Sequence, residues 1–409
     1  MKTKTEIFRD IVNIMTNDYA GYIEKKPLNN PDNYVITDDM DDLTFIKTVQ
    51  SYLLDFKDGH LLFYSNNTAL PFRGFRVRRY KNALYVTELL GEERLCIGDK
   101  IIGLDGLSIE QYEKENYKIL EDKEPERQYW NEALRIVDSI KIEKDNEIVE
   151  LSLLQYDGSD YTPEYSGKRL DPQTFYIKLT DFNQSEPIQK IVDDNREVLE
   201  EVQNLIIDVR TNYGGSDLFY YPLLDYIFEV PTPLNELFEE DEVMYTNYTK
   251  NNCDLRIATL KQFLDQPLNE ETKASLEKEI EKYTSNSGKG LQVINEKSTH
   301  IINGRENPRN VYILSDFMCG SSGDTFVKNV KKSPKVTVVG RGTMGIVDYC
   351  NVTMKTYGDY VFGYSVSKID EKYHCNETGV LPDIHIPWTP EHLKEDVDLK
   401  YVLNLCKAN

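Results

Sequence analysis

Residues 310–324 read NVYILSDFMCGSSGD, and they combine a buried strand, a turn of small residues and the start of a helix. The apolar, β-branched beginning predicts the strand, and apolar residues at helical spacing predict a helix over about 322–332. At such a turn the hydroxyl of Ser321 lies beside N–H groups that have no helical partner, which suits a nucleophile. The same residues fit a capping box, in which Ser321 and Asp324 only cap the helix. Taken alone, the segment favours the cap.

Strand and helix patterns alternate on the N-terminal side of this stretch. A strand at 175–179, a helix at 187–203 and a strand at 205–209 are typical of a βαβ unit. The sequence therefore predicts an α/β core over 156–409. A long charged segment at 231–304, with at least one helix, interrupts this core, and we interpret it as a lid or an elaborated surface element.

Two smaller units are predicted before the core. Residues 1–70 contain two amphipathic helices and deliver His60 to a corner between the second helix and a strand. Residues 71–155 contain short strands and the run GDKIIGLDG, which resembles a signature of PDZ-type modules. Such modules bind extended peptides by strand addition beside a glycine-containing loop, for which Gly74 is the candidate substrate-binding position. A β-rich spacer without a ligand explains the pattern equally well.

The composition of the 409 residues narrows the possible functions. A net charge of −22 argues against a nucleic-acid surface, which needs clustered Lys and Arg. The six cysteines are scattered, and the Cys and His residues show no ligand spacing, so we expect no metal and no other cofactor. The first residues lack the apolar core of a signal peptide, and no apolar run approaches the length of a membrane span. A cytoplasmic protein is the simplest expectation.

Several glycine-containing motifs occur in one order along the chain. They are RTNYGG (210–215), SSGD (321–324), GRGTMG (340–345) and GVLPD (379–383). In this order they resemble the C-terminal-processing and tricorn-like serine peptidase family. The resemblance runs from about residue 45 onward, apart from the 231–304 segment. It implies a crotonase/ClpP-like α/β core with a PDZ-like module, and an enzyme that hydrolyses peptides or protein tails.

The resemblance also implies roles for individual residues. The family's nucleophile falls on Ser321, and its oxyanion hole falls on the N–H groups of Ser322 and Gly215, with Gly214 adjacent. Two converging N–H groups would stabilise the oxyanion of an acyl-transfer intermediate. The tail-processing branch takes its general base from a lysine after the serine, but Ile346 stands at that position. The chain is therefore closer to the tricorn-like branch.

The tricorn-like branch uses a histidine as its base, and His60 stands where that residue is expected. A free imidazole has a pKa of about 6.5, so it can accept a serine proton at neutral pH. His374, beside GVLPD, is the alternative base. Gly59 replaces the serine that precedes the histidine in this branch. Glu377, displaced by one position from the branch's glutamate, would orient His60 as a third catalytic residue, or Asp58 would do so.

Two functions remain open from the sequence. The first is a serine peptidase that forms an acyl-enzyme on Ser321 with His60 as general base. The second is a catalytically silent scaffold of the same fold that holds peptides without cutting them. The replacements at Gly59 and Ile346 and the displacement of Glu377 all leave room for the scaffold.

Overall fold

A computed structural model of the chain describes residues 2–121, 124–144, 147–158, 161–294, 298, 300–376 and 378–408. The strands, in chain order, are β1 (Leu62–Ser65), β2 (Phe75–Tyr80), β3 (Ala83–Leu89), β4 (Lys100–Leu104), β5 (Leu107–Ser108), β6 (Ser139–Lys144), β7 (Glu147–Ser152), β8 (Tyr165–Asp171), β9 (Thr174–Leu179), β10 (Asn204–Asp208), β11 (Thr232–Pro233), β12 (Met244–Tyr248), β13 (Gly290–Ile294), β14 (Ile301–Ile302), β15 (Asn310–Ser315), β16 (Val336–Gly340), β17 (Tyr349–Tyr357), β18 (Tyr360–Ile369) and β19 (Ile384–His385). The α-helices are α1 (Lys4–Asn17), α2 (Asp42–Leu54), α3 (Ile109–Glu115), α4 (Tyr117–Leu120), α5 (Trp130–Leu134), α6 (Ser185–Asp194), α7 (Arg196–Glu201), α8 (Tyr221–Ile227), α9 (Lys250–Leu264), α10 (Glu270–Asn286), α11 (Ser322–Val330) and α12 (Val397–Ala408).

A mostly parallel sheet forms the centre of the predicted α/β core, in the order β19-β16-β15-β10-β9-β8. Strand β15 lies between β16 and β10 and is parallel to both, and only β8 is antiparallel to its neighbour. Helices α6, α7, α8 and α11 bury apolar residues against one face of the sheet, and α12 packs against the other through Val402. Because parallel strands end at the same edge, the turns after β10 and β15 lie side by side. This arrangement confirms the predicted α/β class.

The N-terminal helices pack on a second, antiparallel sheet rather than forming a separate body. Strand β1 pairs with β18, with Leu62 opposite Gly363. The second sheet continues from β18 to β12 and then β13, and β17 also pairs with β18. Residues of α1 and α2 share one buried cluster with aromatic residues of β17 and β18. The corner that carries His60 is therefore held by strands from the C-terminal half of the chain.

The 231–304 segment differs from the expected lid or surface element. Its strands β12 and β13 extend the second sheet, and Tyr248, Leu260 and Leu276 enter the cluster of the N-terminal helices. Helix α10 matches the predicted charged helix, whereas α9 was not predicted. The apolar residues of α9 do not gather into one stripe, so periodicity gives little signal there. The segment therefore forms part of the second sheet and of the buried cluster that it shares with the N-terminal helices.

The PDZ-like unit forms a third sheet in the order β2-β3-β4-β6-β7. Asp105 and Gly106 have φ angles of 46° and 82°, as a tight hairpin turn between β4 and β5 requires. The residue pattern of this unit is helix-like over 126–136 and strand-like over 140–154. Instead α5 is a short helix, and the strand-like region is the antiparallel pair of β6 and β7. Gln128 is extended, which interrupts the expected helix after the 3₁₀ turn at Pro125–Arg127.

In the part of the chain that the structure describes, none of the helices combines the length and the apolar character needed to cross a membrane.

Candidate active site

The turn after β15 holds Ser321 in an unusual backbone conformation. Its φ and ψ angles are 58° and −120°, and a positive φ is rare for a residue with a side chain. The carboxylate of Asp324 accepts a hydrogen bond from the N–H of Ser321 at 2.7 Å and stabilises this conformation. Strained residues of this kind cluster at functional sites. Asp324 thus caps the start of α11, while the serine hydroxyl points elsewhere.

The hydroxyl of Ser321 meets the imidazole of His60. The Ser321 Oγ and His60 Nε2 atoms are 3.0 Å apart, although the two residues are 261 positions apart in the sequence. When Nδ1 carries the ring proton, Nε2 is free to accept the hydroxyl proton. His60 is only 8% exposed, so most of the ring is shielded from water. The structure therefore brings together the two residues that the sequence proposed as nucleophile and base.

The other candidates around the base differ in their placement. Asp58 is buried, and one of its oxygens accepts the backbone N–H of His60 at 2.9 Å and lies 3.9 Å from the ring Nδ1. Burial raises the pKa of Asp58, and the neighbouring imidazole partly opposes this rise. His374, the alternative base, instead lies 3.8 Å from a carboxylate oxygen of Asp348 and 3.3 Å from the carbonyl of Ile369. Glu377 lies outside the described residues.

The double glycine after β10 packs directly against the turn between β15 and α11, residues 316–321, which we call the nucleophile turn. A Cβ on Gly214 would lie 2.7 Å from the Cβ of Ser321, and one on Gly215 would lie 2.2 Å from the carbonyl carbon of Phe182. Both glycines have positive φ, 80° and 139°. The N–H groups of Gly215 and Ser322 donate to no acceptor among the described residues. Both N–H groups are therefore available to a ligand, and their role as an oxyanion hole stays a prediction.

Asn212 ties the double-glycine loop to the nucleophile turn, and the sequence analysis did not select it as a site residue. Its side chain is fully buried, accepts the N–H of Gly214 at 2.9 Å and donates to the carbonyl of Leu179 at 3.0 Å. Its own carbonyl accepts the N–H of Gly320 at 2.9 Å. Its place in the RTNYGG motif was the available signal.

Asp217 is a second site residue that sequence reasoning missed. Its carboxylate accepts a hydrogen bond from the hydroxyl of Ser322. Burial raises the pKa of Asp217 to about 6, and the Ser322 hydrogen bond partly opposes this rise. The residue is half-buried. A carboxyl group that titrates near pH 6 therefore lies beside a candidate oxyanion donor.

Replacing Asp217 with asparagine is expected to stabilise the fold at pH 8 more than at pH 4. The folded state holds the Asp217 proton more tightly than the unfolded state, so the free energy of unfolding falls as pH rises from about 3.8 to about 6. The asparagine variant does not have this loss, which is worth on the order of 1–3 kcal/mol.

Urea unfolding at both pH values measures the difference. The exposed Asp157→Asn is the control and should show no such difference. An equal effect of Asp217→Asn at both pH values would contradict the prediction.

The PDZ-like unit contacts the site through two arginines. Arg127 donates to the carbonyls of Thr343, Met344 and Thr378, at 2.5, 3.0 and 3.0 Å. It thereby holds the GRGTMG loop that follows β16. Arg78 of β2 makes two hydrogen bonds to the carboxylate of Asp316, at 2.6 and 2.7 Å. The unit is thus bonded to the residue that begins the nucleophile turn.

Asp316 belongs to a buried network of charges. Arg341 donates to Asp316 and to Asp398, both at 2.7 Å, and is 2% exposed. Burial alone would raise the pKa of Asp316, but the guanidinium groups of Arg78 and Arg341 outweigh burial and hold this pKa well below its usual range. The same balance lowers the pKa of Asp398, through His392 and Arg341. The carboxyl groups of Asp316 and Asp398 therefore stay ionised at neutral pH.

Groups of the protein itself already contact Gly74, the predicted substrate-binding glycine. A Cβ there would lie 2.7 Å from the ring of Tyr156, and the carbonyl of Gly74 accepts the N–H groups of Leu90 and Glu92. The nearby edge of β2 is also partly occupied, because the side-chain amide of Asn131 accepts the N–H of Val77 at 2.8 Å and donates to its carbonyl at 3.3 Å. Peptide binding at this edge stays a prediction.

In the described ranges, His, Cys, Asp and Glu side chains do not gather in groups of three or more that could hold a metal ion.

Comparisons with known proteins identify the family. The profile of peptidase family S41 matches residues 173–386, which is more than half of the chain. The chain belongs to peptidase family S41 and is a serine-type peptidase, so the resemblance of its ordered motifs is confirmed. No curated protein matches it in sequence.

Solved structures with a similar fold have low sequence identity to the chain. Mature CPAF complexed with lactacystin is 11% identical, with a TM-score of 0.64 over 99% of this chain and 98% of CPAF. A serine-to-alanine mutant of CPAF is 12% identical, with a TM-score of 0.69 over 99% of this chain and 96% of the mutant. These likenesses show the fold over nearly the whole chain.

Proposed function

We propose that this S41 peptidase cleaves peptide bonds through an acyl-enzyme on Ser321, with His60 as the general base. The observation that carries the proposal is the 3.0 Å separation of Ser321 Oγ and His60 Nε2 at a turn of positive φ. This distance lies within the reach needed for proton transfer. Peptides or proteins are the substrates that the family implies.

The proposed reaction starts when His60 Nε2 takes the hydroxyl proton of Ser321 and Oγ attacks the scissile carbonyl carbon. The carbonyl oxygen becomes an oxyanion that accepts hydrogen bonds from the N–H groups of Gly215 and Ser322. The C–N bond then breaks, and the imidazolium gives its proton to the departing amine. Water, deprotonated by His60, releases the acyl group and restores the Ser321 hydroxyl.

Asp58 supports this cycle electrostatically. The Nδ1 atom of His60 lies 3.9 Å from an Asp58 oxygen, where an ionised carboxylate would stabilise the imidazolium that forms during acylation. Asp58 also holds the backbone N–H of His60 at 2.9 Å. We assign Asp58 the role of an orienting group, and Glu377 stays a candidate for the same role.

A fluorophosphonate probe, which reacts with activated serines, tests the nucleophile. We expect the native protein to be labelled on Ser321, while Ser321→Ala and heat-denatured native protein are not labelled. Intact mass and peptide mapping give the site. Equal labelling of native protein and Ser321→Ala would refute the assignment. Peptide binding without labelling or turnover would favour the silent scaffold.

A further inference from the structure

Ile346 lies between the residue that precedes His60 and the residue that precedes Ser321. Its Cγ2 atom is 2.6 Å from the position that a Cβ on Gly59 would take. Its Cδ1 atom is 3.4 Å from the corresponding position on Gly320. One aliphatic side chain therefore contacts the backbone next to both members of the dyad.

Gly59 is glycine because of space and not because of backbone conformation. Its φ angle is outside the left-handed region, so the backbone would accept an ordinary residue. The residue is otherwise exposed. Among the described residues, and apart from the chain neighbours of Gly59, the atoms within 4 Å of an added Cβ belong to Ile346. A contact of 2.6 Å is too short for two carbon atoms, so any side chain at position 59 would force the His60 corner and the Ile346 side chain apart.

Ile346 is itself fixed relative to the nucleophile. Its N–H donates to Asp324 Oδ2 at 3.0 Å, and the same oxygen accepts the N–H of Ser321 at 2.7 Å. The N–H of Gly345 donates to the other oxygen of Asp324 at 2.7 Å. Since Asp324 is fully buried, it holds both backbone segments in one place. The Ile346 side chain thus extends toward the base from a segment that Asp324 ties to the nucleophile turn.

We propose that Ile346 is a positioning residue that sets the distance between His60 Nε2 and Ser321 Oγ. Asp324 fixes the backbone of Ile346 to the nucleophile turn, and the Cγ2 of Ile346 meets the bare backbone at Gly59. The inference rests on the proposed function of the dyad. Gly59 and Ile346, two of the positions at which the sequence departs from the patterns of the resembled family, are complementary in shape.

Steric rescue tests this proposal. Gly59→Ala should lower the second-order rate constant of fluorophosphonate labelling by about 100-fold, because small misplacements of catalytic groups have effects of this size. Ile346→Ala should lower it by about tenfold. The double variant should recover to within about threefold of Ile346→Ala, because only the Ile346 Cβ, at 3.4 Å, remains near the added methyl. Gly158→Ala, which places a methyl in open space, is the matched control.

A second pair of variants tests the same contact without adding a clash. Ile346→Val keeps both branches at Cβ and should label within about threefold of native protein. Ile346→Leu conserves volume but removes the branch that meets Gly59, so we expect a loss of about tenfold or more. The midpoint of the labelling rate against pH should shift in Ile346→Leu and not in Gly158→Ala, because only the former changes the surroundings of the base.

The outcomes separate this inference from the proposed function. Labelling of Ser321→Ala at the native rate would remove the proposed function and this inference with it. If Ser321→Ala is not labelled and Gly59→Ala is labelled at the native rate, the positioning role alone is overturned. A double variant that is folded by thermal melting but no faster than Gly59→Ala would also overturn it, as would equal rates for the Val and Leu variants.

Discussion

His60→Ala lowers kcat for a cleavable peptide by about 10⁴-fold, as expected when a general base is removed from a serine nucleophile. Its imidazole is the only group within hydrogen-bond reach of the Ser321 hydroxyl among the described side chains. Without it, the serine keeps its proton at neutral pH and attacks the carbonyl slowly. Steady-state cleavage and the fluorophosphonate labelling rate should fall together, while KM changes little.

The matched control for this result is His385→Ala. The His385 side chain is 54% exposed and pairs with Glu126 at 3.0 Å, away from the nucleophile turn. Its removal should leave the kinetic constants unchanged. Because His60 is largely buried, thermal melting must show that His60→Ala is folded. A folded variant that keeps more than a tenth of native activity would assign the base to another residue.

Arg341→Met is expected to lower the free energy of unfolding by about 3–5 kcal/mol, as when one partner of a buried ion pair is removed. In the variant, Asp316 keeps its ion pair with Arg78 but loses the one with Arg341. Asp398 also loses its ion pair with Arg341. Methionine preserves most of the side-chain volume, so the loss reports charge rather than a cavity. Urea unfolding at neutral pH provides the measurement.

The pH dependence of this loss follows from the lowered carboxyl pKa values. Asp316 and Asp398 stay ionised in the folded state well below pH 4, whereas the unfolded chain takes up protons there. Their contribution is present above about pH 4 and is lost as pH falls, so the difference between native protein and Arg341→Met should shrink in acid. Arg135→Met, which removes an exposed pair with Glu132, should cost less than about 1 kcal/mol at any pH. A neutral-pH loss as small as this control would contradict the prediction.

Local patterns were sufficient to predict the nucleophile turn. The buried strand ends at Ser315 and α11 begins at Ser322, as the apolar run and the small residues indicated. The parallel strands β9 and β10 were likewise visible as apolar runs around a helix pattern. These elements form from contacts between residues that are close in sequence or in one sheet, and their periodicity is strong.

The surroundings of the site could not be predicted in this way. The proximity of His60 and Ser321 followed only from the family resemblance, because the fold joins them across 261 positions. Gly59 and Ile346 were interpreted as separate departures from the family patterns, whereas in three dimensions they contact each other. Asn212 and Asp217 act through hydrogen bonds to backbone and to Ser322, and such contacts leave no periodic pattern in the sequence.

The pairing of β1 with β18 also governs when a newly made chain can react. A ribosome completes Ser321 before it completes β18, which ends at Ile369, and β1 has no partner in this sheet until then. On the proposed assignment, the corner that carries His60 is unplaced throughout this interval. On this assignment the nascent polypeptide carries both reactive residues before the strand that holds the His60 corner exists, and it becomes competent only after Ile369 has been made.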